Sequence, residues 1–414
     1  MSSKPSNLWR HQDFLKLWSA QTTSVFGSQM ASLAYPLTAI LILEATTFQV
    51  GLLQATGTAS AALLGLFAGV IADRTRRKPL LITANLGRAV LAFSIPLAAV
   101  FGFLRIEQLY LVSFLSGAFS IVADVAGMSF LPSLLEKEEL VEGNSKFGTT
   151  ESAAMIAGPS LSGALVQILT APLVIFIDAV SFLFAALFIW QIRVPEVLTE
   201  QEKRSIWTEI GEGLRFVYGN KILRPLAESI ALYFLFRQIV LTLFTLYAIR
   251  ELRLEPFLLG IIFSALGFGF LVGALTVKKI TKRFGVGRTM IGVNFVNIVA
   301  LALVPLAGGS TVLLVVLFAA SHFLHAFAVQ INGINLMSLR QAITPNRLQG
   351  RMNASFRFVN VGMMMLGALI AGFLGEFIGL RETLAIAAIG MVFPFLRLLF
   401  SPLRNLNELT GVPA

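Results

Sequence analysis

Residues 65–78 have the sequence GLFAGVIADRTRRK, and this stretch decides what kind of protein the chain is. It closes an apolar run at about 48–72 and leads, through a short basic cluster, into another apolar run at about 79–103. A helix needs about 20 apolar residues to cross a hydrocarbon core about 30 Å thick, and each run supplies them. The stretch therefore predicts two membrane-spanning helices joined by a short charged loop.

The rest of the chain has the same character. Of its 414 residues 56% are hydrophobic and 13% charged, and the mean hydropathy is +0.80. Lipid offers no partner to unpaired backbone groups, so a spanning chain forms helices or a closed barrel. Because the apolar runs are long and lack the alternation of barrel strands, the predicted fold class is an all-α membrane protein.

Twelve apolar runs follow one another between charged or Pro/Gly-rich stretches, six in each half of the chain. The predicted spans lie near 14–43, 48–72, 79–103, 106–131, 146–170, 172–193, 226–249, 256–277, 286–307, 311–337, 353–375 and 380–400. We expect three segments: a first bundle at 1–194, a linker at 195–224 that contains an amphipathic helix near 206–218, and a second bundle at 225–414.

The basic residues orient these spans. With a cytoplasmic N-terminus, four of the 32 Lys and Arg residues fall in the outside loops: Arg105, Arg250, Arg253 and Arg381. The opposite orientation violates the excess of positive charge on cytoplasmic loops. We therefore expect both termini in the cytoplasm. A shift of about 209 residues superposes Arg74 on Arg283 and brings Asn144 beside Asn353, which indicates two similar halves.

Composition also argues against several classes of function. The net charge is +10, but the basic residues punctuate apolar runs instead of forming one patch, so no nucleic-acid partner is expected. The chain has no cysteine, three histidines and no Walker-type phosphate-binding sequence. We therefore expect no metal site, no cofactor and no enzyme activity, and an ion gradient as the source of energy.

The stretch 65–78 resembles the signature loop of the major facilitator superfamily. In that family the loop acts as a conformational latch, and its aspartate holds the cytoplasmic ends of the two halves together. The matching residues here are Gly65, Gly69, Asp73, Arg74, Arg77 and Lys78. The alternative interpretation is that the basic residues only orient the helices. The corresponding loop after span eight is basic but contains no carboxylate.

A second motif lies in span five. Gly158, Pro159 and Gly163 place a helix-bending proline between two glycines, which permits close helix contact. The motif resembles the bend of major facilitator antiporters, with Ser162 where the family prefers glycine. The other interpretation is an ordinary Gly-Pro pair, which is common in membrane helices.

The whole chain is similar to the branch of the superfamily that contains bacterial macrolide, multidrug and siderophore exporters. The resemblance implies two pseudo-symmetric six-helix bundles, the major facilitator fold, and export in exchange for protons. It also implies a monomer in the bacterial cytoplasmic membrane, with the lipid bilayer, a small-molecule substrate and protons as partners. Two alternatives stay open: an uncoupled facilitator or importer of a nutrient or lipid, and a receptor or scaffold that transports nothing.

Ionisable residues inside predicted spans are costly and mark candidate sites. Arg88 and Asp124 lie at comparable depths and can pair, and Glu151 and Arg357 can join them. These four are the proton-coupling candidates, and the alternative is a static ion pair that only specifies packing. Asp178, near the outer end of span six, is interpreted as a helix N-terminal cap.

The second half supplies candidates for a substrate cavity. Arg237 falls near the middle of span seven, and His322, His325 and Asn332 lie in span ten. Arg237 either binds an anionic group of the substrate or forms a permanent ion pair with a carboxylate of the other half. The two histidines share a helical face but lack the neighbouring ligands of a zinc site.

Overall fold

The computed structural model describes residues 8–136, 138–193 and 206–406. Within these ranges the regular elements are all helical, as the all-α prediction requires. The first six long helices are α1 (Gln12–Leu37), α2 (Thr47–Arg74), α3 (Arg77–Val100), α4 (Ile106–Leu134), α5 (Leu140–Ile168) and α6 (Ala171–Trp190). The remaining helices are α7 (Ile206–Gly219), α8 (Leu223–Arg250), α9 (Pro256–Phe284), α10 (Val286–Leu306), α11 (Thr311–Ile343), α12 (Asn346–Phe377), α13 (Leu380–Gly390) and α14 (Val392–Leu399).

The helices agree with the predicted spans in position. By length and composition, ten segments of the described residues are apolar enough to cross a membrane, with α13 and α14 forming one of them. Helices α2 and α5, of 28 and 29 residues, occupy the positions of predicted spans two and five. The last predicted span is interrupted at Met391, where α13 ends and α14 begins.

The chain divides into two compact units. The first contains Met1–Ala45 and Thr56–Glu202, and the second contains Thr46–Ala55 and Lys203–Ala414. The division places α1 and α3 to α6 in the first unit and α7 to α14 in the second, and α2 contributes to both. The expected boundaries after residues 194 and 224 stay predictions.

In the first unit α1 packs against α5 and α6, and α3 packs against α4 and α6. A glycine allows the closest of these contacts, because a Cβ atom at Gly27 of α1 would collide with Ser181 of α6 and lie 2.8 Å from Asp178 Oδ1. Lipid tails are as apolar as the side chains, so membrane helices associate through such close packing and not through hydrophobic burial.

The second unit uses small residues in the same way. Gly269 and Gly273 lie four apart on α9 and face α11. A Cβ atom at Gly269 would collide with the Phe323 carbonyl oxygen, and one at Gly273 would lie 2.9 Å from the Phe327 carbonyl oxygen. The spacing of four residues puts both glycines on one face of the helix, so α9 and α11 touch at the level of their backbones.

The predicted linker helix forms as α7 and docks on α12. The Ser355 hydroxyl donates a hydrogen bond to the Ile210 carbonyl oxygen at 2.9 Å, and Arg351 pairs with Glu212. At Gly213, a Cβ atom would collide with the Arg351 carbonyl oxygen. Helix α7 is therefore a packed part of the second unit.

Candidate functional site

A polar cavity of about 160 Å³ lies within the first unit. Its lining includes Ser28, Ser32 and Tyr35 of α1, Arg88 of α3, Ser113 of α4 and Asp178 of α6. At roughly 30 Å³ per molecule, the volume accommodates about five waters. Hydroxyl groups and two opposite charges thus surround a space large enough to be wet.

Arg88 is held by three kinds of contact. Its Nη2 atom donates a hydrogen bond to Ser28 Oγ at 3.1 Å, and its guanidinium carbon lies 3.9 Å from the centre of the Phe182 ring. Its electrostatic attraction is largest to Asp178 and smaller to Asp124. The predicted pairing of Arg88 with Asp124 stays a prediction.

Asp178 is a cavity-lining residue whose position the sequence interpretation did not predict. It lies two turns inside α6, whose N-terminal cap is Thr170, so the cap interpretation was wrong. The residue is 3% exposed, and its carboxylate interacts with the Ser28 and Ser181 hydroxyls. Ser181 follows Asp178 by three residues and so shares its helical face, which was the available signal that this face is polar and buried.

The other proton-coupling candidates lie outside this cluster or at its edge. Asp124 is exposed on α4 and interacts electrostatically with Arg88. Glu151 is exposed on α5 and is not among the residues that line the cavity. Arg357 is exposed on α12 of the second unit. The coupling roles of these residues stay predictions.

In the second unit Arg237, His325 and Asn297 form a hydrogen-bonded row. Arg237 Nε donates to His325 Nε2 at 3.2 Å, and His325 Nδ1 lies 2.9 Å from Asn297 Oδ1. Since a guanidinium can only donate, Nε2 accepts and the imidazole proton sits on Nδ1, facing the amide oxygen. No carboxylate among the described residues of this unit forms an ion pair with Arg237.

His322 and Asn332 occupy different surroundings. The His322 ring lies 4.5 Å from the Phe244 ring and 5.2 Å from the Phe263 ring, and its Nδ1 donates to the Phe318 carbonyl oxygen at 2.9 Å. The Asn332 Oδ1 atom is buried without a protein hydrogen-bond partner. His322 is thus an aromatic-packed core residue, whereas the Asn332 oxygen has an open hydrogen-bonding site.

The Gly-Pro motif of α5 packs against α1. A Cβ atom at Gly158 would lie 2.6 Å from Gln29 Cβ, and Gly158, Pro159 and Gly163 are all buried. Ser162, the departure from the family pattern, donates a buried hydrogen bond of 2.7 Å to the Met30 carbonyl oxygen. The serine is therefore small enough for the close contact between α5 and α1, and it adds a hydrogen bond between the two helices.

We expect Ser162→Ala to lower the free energy of unfolding by about 1 kcal/mol, the usual contribution of one such hydrogen bond. The Met30 carbonyl keeps its helical partner, which limits the loss. Thermal melting of the purified protein in detergent measures the change. Ser152→Ala, which removes an exposed bond to the Gly148 carbonyl oxygen of the same helix, serves as the control and should leave the melting temperature unchanged.

The latch segment lies only partly within the described side chains. The backbone of α2 extends to Arg74 and includes Gly65 and Gly69. The surroundings of these two glycines, and the side chains of Asp73 and Arg74, are not among the described parts of the structure. Beyond them, Lys78 Nζ donates a hydrogen bond to the Ile192 carbonyl oxygen at 2.6 Å. This contact ties the start of α3 to the residues that follow α6, and the latch role stays a prediction.

Comparisons with known proteins agree with this architecture. The enterobactin exporter EntS of Citrobacter koseri is 25% identical over 421 residues, covering 99% of this chain and 96% of that protein. The multidrug efflux pump Tap of Mycolicibacterium fortuitum is 25% identical over 419 residues, covering 97% and 98%. A bacterial homologue of the iron transporter ferroportin, solved in an inward-facing state, superposes with a TM-score of 0.76 at 18% identity, covering 95% and 99%.

A family described as transmembrane secretion effectors matches residues 4–414. The match spans nearly the whole chain, and the chain's relatives are transporters, not enzymes. The chain therefore belongs to the transmembrane secretion effector family of the major facilitator superfamily.

Proposed function

We propose that this transporter exports a drug-like, macrolide or siderophore-type compound in exchange for protons. The observation that carries the proposal is the cavity of the first unit, which holds Arg88 and Asp178 between membrane-spanning helices. Ionised side chains at this depth cost several kcal/mol unless they are paired or wetted, and they mark ion pathways in transporters. The names of the relatives, an enterobactin exporter and a multidrug efflux pump, support the direction and the substrate class.

The energy available fits export against a gradient. A proton that moves inward through a potential of 100 mV releases about 2.3 kcal/mol, which is enough for substantial accumulation outside. The chain has no Walker-type sequence, so nucleotide hydrolysis is not the proposed source. We place the protein in the bacterial cytoplasmic membrane with both termini inside, as a monomer.

A transport assay in liposomes tests the proposal. The protein is reconstituted with its cytoplasmic face outward, and the lumen is made acidic. We expect such liposomes to accumulate ethidium, erythromycin or a catecholate siderophore, and to lose it when nigericin collapses the pH gradient. Substrate flux that is unaffected by the gradient contradicts proton exchange and favours a facilitator. No flux of any compound in the panel favours a scaffold or receptor.

Asp73→Asn tests the latch. If the carboxylate stabilises one of the alternating states, its loss shifts the equilibrium between them, and about 1.4 kcal/mol is enough to reduce transport about tenfold. We expect that loss with an unchanged amount of protein in the membrane, measured by flux and immunoblot. Asp13→Asn is the matched control, because Asp13 forms a partly exposed ion pair with Lys16 of the same helix at 2.8 Å. Full activity of Asp73→Asn would leave the basic loop with an orienting role only.

A further inference from the structure

We propose that Asp178 is the group that binds and releases the transported proton, and that Arg88 is the counter-charge that responds to it. The inference rests on the proposed function, because it assigns the coupling of that transport to one carboxylate. Ser28 stands between the two groups: its hydroxyl accepts from Arg88 Nη2 and interacts with the Asp178 carboxylate. The charges are thus bridged by a hydroxyl.

Burial distinguishes Asp178 from Asp124 and Glu151, the two carboxylates among the proton-coupling candidates. Asp178 is 3% exposed, whereas Asp124 and Glu151 are exposed at the protein surface. Asp178 also lines the 160 Å³ cavity, so water can reach it from within the bundle. A buried carboxylate in contact with a wet cavity gains most from binding a proton, because the neutral form avoids the cost of a charge in the membrane.

A bridged pair can separate more easily than a direct ion pair. The Arg88 Nε atom is buried without a hydrogen-bond partner, so the guanidinium has a donor to spare. Arg88 is also attracted electrostatically to a second carboxylate, Asp124, on the neighbouring helix α4. When Asp178 becomes neutral, the attraction between Arg88 and Asp124 is left unopposed, so Arg88 is able to respond to the protonation of Asp178.

The groups that face Asp178 are consistent with this role. Among the described residues they are the Tyr35 hydroxyl of α1 and the Arg88 guanidinium of α3. Among the described residues of α5, no charged group is found to act on Asp178. The groups that act on its protonation are therefore Arg88, Tyr35 and the hydroxyls of Ser28 and Ser181.

The proton step is simple to balance. A proton from cavity water binds one oxygen of the ionised carboxylate and gives a neutral carboxylic acid. The net charge of Asp178, Asp124 and Arg88 then changes from −1 to zero, with Asp124 ionised throughout. Release of the proton to the other side of the membrane restores the starting charges.

Asp178→Asn tests the inference, because asparagine is a permanently neutral shape match for the protonated carboxyl. Two measurements are made in liposomes: accumulation driven by a pH gradient, and exchange of labelled for unlabelled substrate without a gradient. We expect accumulation to fall at least about tenfold, as the coupling step is lost, while exchange stays within about twofold of the wild type. Glu107→Gln, which neutralises an exposed carboxylate in the first turn of α4, is the control and should keep both activities.

The outcomes separate the inference from the proposed function. A wild-type protein that ignores the pH gradient overturns proton exchange itself. A coupled wild type together with a coupled Asp178→Asn variant overturns only the role of Asp178. Loss of exchange as well, in a variant that elutes as a single symmetrical peak, also overturns it, because the neutral amide should permit exchange. Loss of coupling in a Glu151→Gln variant instead moves the role to Glu151.

A second measurement needs no variant. A hydrophobic carbodiimide reacts with protonated carboxyl groups in membranes, adding to the acid to form an acylurea on the side chain. Mass spectrometry of peptides from the labelled wild-type protein should locate the adduct on Asp178, in an amount that falls as the pH is raised. Absence of label at Asp178, or labelling that does not depend on pH, contradicts the assignment even if Asp178→Asn fails to fold.

Discussion

Gly269→Leu should prevent the second unit from assembling. The leucine Cβ atom would collide with the Phe323 carbonyl oxygen of α11 and approach the Ala326 Cβ atom at 2.8 Å. Because the obstacle is backbone, no side-chain rotation relieves it. Overpacking costs about 1–3 kcal/mol in well-packed cores and more where the backbone must move. A cost of 3 kcal/mol lowers the folded-to-unfolded ratio more than about 100-fold.

Gel filtration of the detergent-extracted protein, with thermal melting, measures the effect. Gly292→Leu is the matched control, since a Cβ atom at Gly292 on neighbouring α10 meets nothing within 4 Å. The control replaces glycine by a better helix former at an exposed position and should elute as the wild type does. A Gly269→Leu protein with a normal elution profile would show that α9 and α11 can separate without loss of structure.

Arg88→Leu should abolish the transport that a proton gradient drives. Leucine removes the cation that faces Asp178 and leaves the carboxylate buried beside a dry aliphatic chain. Asp178 then retains its proton, because its charged form has lost its main stabilising partner. A loss of about 2.7 kcal/mol corresponds to about 100-fold in rate, and we expect gradient-driven flux to fall by at least that factor.

The double variant Arg88→Leu/Asp178→Leu distinguishes a coupling role from a packing role. Arg88→Leu should also lower the melting temperature, because it leaves a buried carboxyl group without its counter-charge, and removal of both groups should restore it. Transport should not recover, because no proton carrier remains. Recovery of gradient-driven flux in the double variant would make the pair a static element of the bundle.

Sequence alone predicted the course of the chain well. Apolar length predicted where the helices lie, because the thickness of a bilayer fixes the length of a span. The amphipathic pattern near 206–218 predicted α7, although its docking through Gly213 was not visible in the pattern. A docked helix and a surface helix share the same one-sided apolar face, so the pattern cannot distinguish them.

The candidate site was predicted less completely. Depth along the chain placed Arg88 and Asp124 at one level but did not say which helices are neighbours. Helix α3 packs on both α4 and α6, and this lateral arrangement brings Arg88 and Asp178 to the same cavity. Asp178 was taken for a cap because its distance from the helix start was underestimated. The motif residues of α2 and α5 were predicted from their resemblance to motifs of the major facilitator superfamily.

The hydrogen-bonded row of the second unit was only partly predictable. The sequence singled out Arg237 and His325 as residues that need an explanation inside the membrane. Their contact, and the place of Asn297 behind it, depend on how α8, α10 and α11 approach one another. Spacing within one helix cannot supply this information, because the three residues come from three helices.

The tautomer of His325 limits how many protons the proposed transport cycle can carry. An imidazole whose Nε2 accepts from Arg237 and whose Nδ1 donates to Asn297 has no vacant site for another proton. If Asp178 is the sole carrier, as we propose, one proton enters for each molecule exported. At 100 mV that single charge sustains a concentration ratio of about 50 for a neutral substrate, and a steeper measured ratio would require a second carrier.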